Sequence, residues 1–97
     1  MPSKEQYLLG IDPGRAKTGL ALVHLHEGKL FPMFLQVVRL EQFEAKIAEI
    51  KEKWDFQRII LGDGTGSQEL KRRLGQSKAS QVPVTVIDEH NSSFEAR

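Results

Sequence analysis

The sequence predicts an α/β fold: a mixed five-stranded sheet in the order 3-2-1-4-5, with strand 2 antiparallel to its neighbours and helices flanking the sheet. Three observations support this fold. The chain opens with three apolar runs separated by short turns. An apolar stripe with helical spacing follows, and two further short apolar runs then alternate with a second helical segment. A meander followed by right-handed strand–helix–strand units puts the first strand in the middle of the sheet.

The first three strands are predicted from apolar runs and turn residues. Residues 7–12 form a mostly apolar run that stops at Pro13-Gly14, so Asp12 is expected at the carboxyl end of a buried strand. Residues 18–25 and 30–38 lie on either side of Gly28, which suits a hairpin turn. Pro32 has no backbone N–H to donate to a ladder, so the third strand is expected at the sheet's edge.

The helices and the later strands are predicted from the second half of the chain. Apolar residues spaced for one helical face are Leu40, Phe43, Ile47, Ile50 and Trp54. Residues 58–62 are too short for a helix and are interpreted as a buried strand that ends before Asp63. Thr65 and Gln68 fit a capping box at the start of a second helix. Residues 82–88 predict the last strand, and Ser92 with Glu95 predicts a helix that opens near the end of the chain.

Composition limits the organisation of the protein and its class. A chain of 97 residues with 39% hydrophobic content is expected to form one domain, spanning residues 1–97. It has no cysteine, which excludes disulfides and thiolate metal sites. The polar amino terminus and the short apolar runs predict a cytoplasmic protein without a membrane span. The net charge of +1 does not by itself indicate nucleic-acid binding.

Acidic residues follow the three strands whose ends are expected to share one edge of the sheet. Asp12, Asp63 and the pair Asp88-Glu89 occupy these positions. Carboxylates held close together repel each other unless a hard cation such as Mg²⁺ or Mn²⁺ takes up their charge. We therefore predict a metal site there, although each residue alone could also be an ordinary turn or strand-end residue. Metal ions held in this way could hydrolyse a phosphodiester without a covalent protein intermediate.

Two groups of basic residues are candidates for contact with a nucleic-acid backbone. Arg15 and Lys17 lie beside the first glycine-containing turn, and a second cluster runs from Lys71 through Arg72 to Arg73. A solvated surface is the alternative explanation for both groups.

Three strings in the sequence resemble the RuvC/YqgF group of RNase H-like nucleases. Residues 9–14 (LGIDPG), followed by Thr18-Gly19, resemble the opening of RuvC-type Holliday junction resolvases and YqgF proteins. Residues 82–89 (VPVTVIDE) and 92–97 (SSFEAR) look like the YqgF strand and the helix start that follows it, with His90 in place of the usual Arg. Residues 61–67 (LGDGTGS) are similar to a segment of the YqgF-like domain in the Tex transcription accessory protein.

The resemblance implies an RNase H-like fold and metal-dependent endonuclease activity on branched DNA or on the precursor of small-subunit ribosomal RNA. Asp12 would be the first catalytic carboxylate, Glu89 the second, and Asp63 a lower-ranked third, all as ligands of Mg²⁺ or Mn²⁺. The family's final acid lies on a C-terminal helix, and the sequence ends at Arg97 before such a helix is complete. If these 97 residues are the whole protein, activity is expected to be weak, absent or dependent on self-association as a homodimer; if they are a fragment, the prediction applies to the longer protein.

Two other functions remain open at this stage. One is a non-catalytic nucleic-acid-binding or assembly module that keeps the fold with a degenerate site. The other is the phosphate-binding half of an actin-like kinase, which the Asp12-x-Gly14 pattern alone would allow, although 97 residues are too few for the two lobes of such enzymes.

Overall fold

The computed structural model describes residues 6–88, which form a five-stranded sheet in the order β3-β2-β1-β4-β5. The strands are β1 (Gln6–Asp12), β2 (Lys17–His26), β3 (Lys29–Arg39), β4 (Arg58–Gly62) and β5 (Val84–Ile87). The helices are α1 (Phe43–Trp54), which follows a 3-10 turn at Leu40–Gln42, and α2 (Ser67–Leu74). β2 is antiparallel to β1 and β3, whereas β4 is parallel to β1 and β5. The predicted order and strand directions are confirmed.

The hairpin between β2 and β3 has the backbone that a tight two-residue turn requires. Glu27 and Gly28 both have positive φ, at 54° and 78°. Positive φ at both central positions matches the turn to the twist of the flanking strands. Pro32 lies opposite Val23, where the register of the two strands shifts, and β3 is the edge strand that Pro32 predicted.

Both helices pack on one face of the sheet. α1 buries Phe43, Ile47 and Ile50, and α2 buries Leu70 and Leu74. These side chains join alternate residues of the strands in one cluster, whose sheet members are Leu9, Ile11, Leu20, Leu22, Val38, Ile59 and Leu61. The burial of every second strand residue is the pattern expected of a sheet with one face against the core.

The start of α2 differs from the prediction. Thr65 was expected to cap the helix, but the N-cap residue is Gly66, with φ of 89° and no side-chain hydrogen bond to the helix. The left-handed conformation of Gly66 turns the chain into the helix, and this conformation is costly for a residue with a Cβ. The capping-box pattern at Thr65 and Gln68 was therefore misleading, because the backbone turn is set by the glycine that follows.

The second face of the sheet is not covered by α1 or α2, and we call it the open face. Its middle is built from small residues, Gly10, Gly19 and Ala21, and its borders include Leu35, Val37 and Ile87. These residues, with Ile11, Asp12, Ile60 and Gly62, line a shallow depression with a volume of about 460 Å³. Small side chains in the centre with larger ones at the sides explain the concave shape.

Within the described residues, no helix has the length and apolar character needed to cross a membrane.

Candidate active site at the carboxyl edge of the sheet

Asp12 lies at the rim of the open face. It is the last residue of β1, it is exposed, and its Cα partner in β2 is Gly19. Because Leu9 and Ile11 point into the core, strand alternation directs Asp12 to the open face together with Gly10. Asp12 accordingly forms part of the lining of the depression. The carboxylate is held on a central strand and is accessible from solvent.

Glycines leave space on both sides of Asp12. A Cβ added to Gly19 would lie 3.5 Å from the Asp12 Cβ, so the absence of that atom opens the β2 side. On the other side, Ile11 is level with Leu61 in β4, which puts Gly62 next to Asp12 along the sheet. Both glycines line the same depression as Asp12. An oxygen ligand flanked by open space suits a hard cation with several oxygen ligands.

Asp63 and Asp88 are one step further along the strands than Asp12. β4 and β5 pair Gly62 with Ile87, and the Asp63 amide donates a hydrogen bond to the Ile87 carbonyl oxygen at 3.0 Å. Both carboxyl-bearing residues are exposed. Among residues 6–88, no three His, Asp or Glu side chains are grouped closely enough to hold a metal ion. Glu89, the second predicted ligand, lies outside the described residues, so the predicted set of three stays a prediction.

Arg15 and Lys17 are near the same end of the sheet. Both are exposed, Arg15 in the turn after β1 and Lys17 at the start of β2. Arg15 also borders a second depression of about 450 Å³, which it lines with Gly14, Thr65 and residues at the start of α2. Positive charge therefore lies beside the turn that follows Asp12.

The basic cluster on α2 is largely engaged with acidic partners. Arg72 forms a two-point hydrogen bond with Glu69, at 2.6 and 3.2 Å, on the exposed side of the helix. Arg73 is mostly buried: it bonds both carboxylate oxygens of Glu44 at 2.6 and 2.7 Å and the Leu40 carbonyl oxygen at 2.8 Å. Arg73 thus ties α2 to the start of α1, whereas Lys71 is exposed. Sequence reasoning missed this role because Glu44 and Arg73 are 29 residues apart.

The Glu44–Arg73 pair should contribute stability that depends on pH. The Arg73 guanidinium holds the pKa of Glu44 below its ordinary value, chiefly through the hydrogen bonds. A carboxylate whose folded-state pKa is lowered stabilises the fold above its unfolded pKa of about 4.3, and this contribution is lost as the pH falls through the folded-state pKa. We expect Glu44→Gln to lower the free energy of unfolding at pH 7 by about 1 kcal/mol or less, since the pair is partly exposed. At a pH below the folded-state pKa, the two proteins should have nearly equal stability.

Urea unfolding at neutral and acidic pH measures this difference. Glu69→Gln is the matched control, because the Glu69–Arg72 pair lies within one helix and is exposed at both ends. We expect it to change stability less than Glu44→Gln. An equal loss at both pH values for Glu44→Gln would show that the lost interaction does not depend on the ionised carboxylate.

Comparisons with known proteins agree with this architecture. A protein of Anaeromyxobacter sp. (strain Fw109-5) named "Putative pre-16S rRNA nuclease" is 34% identical over 100 residues, covering 91% of this chain and 72% of the relative. The chain belongs to this YqgF-like family. A second member, from Sulfurovum sp. (strain NBC37-1) and with the same name, is 26% identical over 98 residues, covering 93% of this chain and 75% of the relative. No protein-family model matches the sequence.

Solved structures show the same RNase H-like fold in RuvC. Thermus thermophilus RuvC superposes with a TM-score of 0.70 at 17% identity, over 86% of this chain and 64% of the RuvC chain. The structure of the same protein in complex with Holliday junction substrate superposes with a TM-score of 0.68 at 16% identity, over 92% and 68% of the two chains. At this identity the likeness establishes the fold. The resemblance predicted from the sequence strings is confirmed.

Proposed function

We propose that this YqgF-like chain is the core of a divalent-metal-dependent endonuclease that cuts the precursor of small-subunit ribosomal RNA. The observation that carries the proposal is the position of Asp12, an exposed carboxylate at the end of the central strand with glycines on both sides. The name of the relative at 34% identity favours an RNA substrate over branched DNA, since the likeness to RuvC is one of fold.

Asp12 and Glu89 are the residues that would hold Mg²⁺ or Mn²⁺. Gly62 lies between the β1 and β5 ends and lines the depression with Asp12 and Ile87. Glu89 is the second acidic position that the family resemblance implies, and it lies outside the described residues. Asp63 is the next residue after Gly62, and the family resemblance ranks it below Glu89 as a metal ligand.

The bound cation would activate the attacking water and stabilise the leaving oxygen of the phosphodiester. The chain's own residues position the substrate. Arg15 and Lys17 attract the phosphate backbone toward the edge that carries Asp12, and Lys71 adds positive charge on α2. Arg72 and Arg73 contribute less to this attraction, because Glu69 and Glu44 offset their charges.

Incubation of the protein with a structured RNA spanning the end of a small-subunit ribosomal RNA precursor tests the proposal. We expect cleavage with Mg²⁺ or Mn²⁺ and none with a chelator. A four-way DNA junction in the same assay distinguishes the two substrate classes, and faster cutting of the junction would reverse the choice of RNA.

A non-catalytic binding module is the alternative function. It is favoured by the similarity of residues 61–67 (LGDGTGS) to the YqgF-like domain in the Tex transcription accessory protein. Salt-sensitive binding of the RNA, without cleavage in either metal, would select this alternative and overturn the nuclease proposal.

A further inference from the structure

The edge strand β3 presents an unusual surface for a sheet edge. It is 11 residues long, whereas β5 at the other edge has four residues. Leu35 is 76% exposed and Val37 is 66% exposed, and Met33 is 40% exposed. A long, apolar edge strand offers unpaired backbone groups to another strand, and proteins usually block such an edge with charge, proline or a bulge.

Only the first part of β3 is protected in this way. Pro32 removes one backbone donor, and the register shift between Leu22 and Val23 lies opposite the same part of β3. The following segment, 33–38 (MFLQVV), contains no charged residue, no proline and no glycine. An uncharged segment in which Phe34, Val37 and Val38 have high β propensity readily pairs with another strand.

Charges at the two ends of β3 restrict the register of an antiparallel pair with a second copy. The first and last residues of β3, Lys29 and Arg39, are both basic. A register centred on Phe34 would put Lys29 of one copy directly opposite Arg39 of the other. A register centred on Leu35 pairs Met33 with Val37 and separates these two charges by two residues along the strands.

We propose that two copies of this chain associate by antiparallel pairing of residues 33–37 of β3, forming one continuous sheet across a two-fold axis at Leu35. The two-fold axis stands perpendicular to the sheet, so the open faces of both copies lie on the same side. Leu35 of one copy then packs against Leu35 of the other. The assembly closes as a dimer because each copy uses its β3 edge once. This inference does not depend on nuclease activity.

Sedimentation of the protein over a wide concentration range tests the association. We expect a monomer–dimer equilibrium, and Leu35→Lys should shift it to monomer by adding a charge beside its own symmetry mate. Leu30→Lys is the matched control: Leu30 is 60% exposed on the same strand but lies before Pro32, outside the pairing segment. Circular dichroism establishes that both variants fold. A protein that stays monomeric at all concentrations, or that forms open-ended aggregates, would overturn the proposal.

Cysteine cross-linking tests the register. The chain has no cysteine, so Leu35→Cys introduces a single thiol. Directly opposed residues of antiparallel strands have Cα atoms about 4.5–5.5 Å apart, within the range that a disulfide spans. We expect a rapid covalent dimer under mild oxidation. Leu30→Cys should not cross-link, because its two copies would be offset by ten residues, roughly 34 Å along the strands. A dimer that Leu35→Lys leaves intact and Leu35→Cys does not cross-link uses another surface, and this outcome also refutes β3 pairing.

Discussion

Replacing Asp12 with asparagine is expected to lower the rate of metal-dependent cleavage by on the order of a hundredfold or more, the size of effect that follows loss of one electrostatic group at a transition state. Asparagine keeps the shape of the side chain but removes the negative charge that would attract the cation. The side chain is exposed, so the fold should be unaffected. Initial rates at a fixed Mg²⁺ concentration measure the effect, and thermal unfolding of the variant checks its stability.

Asp55→Asn is the control for Asp12→Asn. Asp55 follows α1 near the start of β4, at the opposite end of the sheet from Asp12. It has positive φ, which asparagine also tolerates, and its carboxylate is exposed while it pairs with Lys51. We expect wild-type cleavage rates for Asp55→Asn. If Asp12→Asn also cleaves at the wild-type rate, Asp12 is not a catalytic residue.

Replacing Gly14 with alanine is expected to lower the free energy of unfolding by about 1–3 kcal/mol, the usual cost of forcing an extra methyl into a packed site. A Cβ at this position would overlap the carbonyl oxygen of Lys17. This oxygen belongs to the backbone and cannot rotate away, so the turn between β1 and β2 would have to open. Because Asp12 is only two residues from Gly14, its carboxylate should shift and cleavage should slow as well.

Gly10→Ala is the matched substitution in the same part of the chain. The nearest atom to a Cβ at Gly10 is the Ala21 carbonyl oxygen at 3.7 Å, an ordinary contact. We expect stability within about 0.5 kcal/mol of wild type, with a small gain if the lower entropy of the unfolded chain dominates. Urea unfolding of both variants gives the comparison. Equal stability of Gly14→Ala and Gly10→Ala would show that the turn adapts easily and does not fix the position of Asp12.

The sheet could be predicted from the sequence because its signals are local. Apolar runs, Gly28 and Pro32 determine where strands begin, turn and reach the edge, and the right-handed crossover rule then leaves one strand order. The start of α2 could not be predicted correctly, since both Thr65 and Gly66 carry signals for a helix start. The structure resolves the ambiguity through the backbone of Gly66.

The candidate site could be predicted only in part. The position of Asp12 follows from a strand that ends at Pro13-Gly14. The space around it could not be foreseen, because Gly19 and Gly62 become its neighbours only through strand register. The same limit applies to Arg73, because its partner Glu44 is brought to it by the packing of α2 against α1. The Glu69–Arg72 pair has the i,i+3 spacing of one helix, so its sequence signal is local.

Paramagnetic broadening of backbone amide signals by Mn²⁺ tests most directly whether a cation binds at Asp12. We predict that substoichiometric Mn²⁺ broadens the amide signals of Asp12, Gly19 and Gly62 and leaves those of Gly28 and Asp55 sharp. In Asp12→Asn, the signals of Gly19 and Gly62 should no longer be broadened more than those of Gly28 and Asp55. Broadening centred on Asp55, or a pattern at the carboxyl edge that is identical in wild type and Asp12→Asn, would contradict the account.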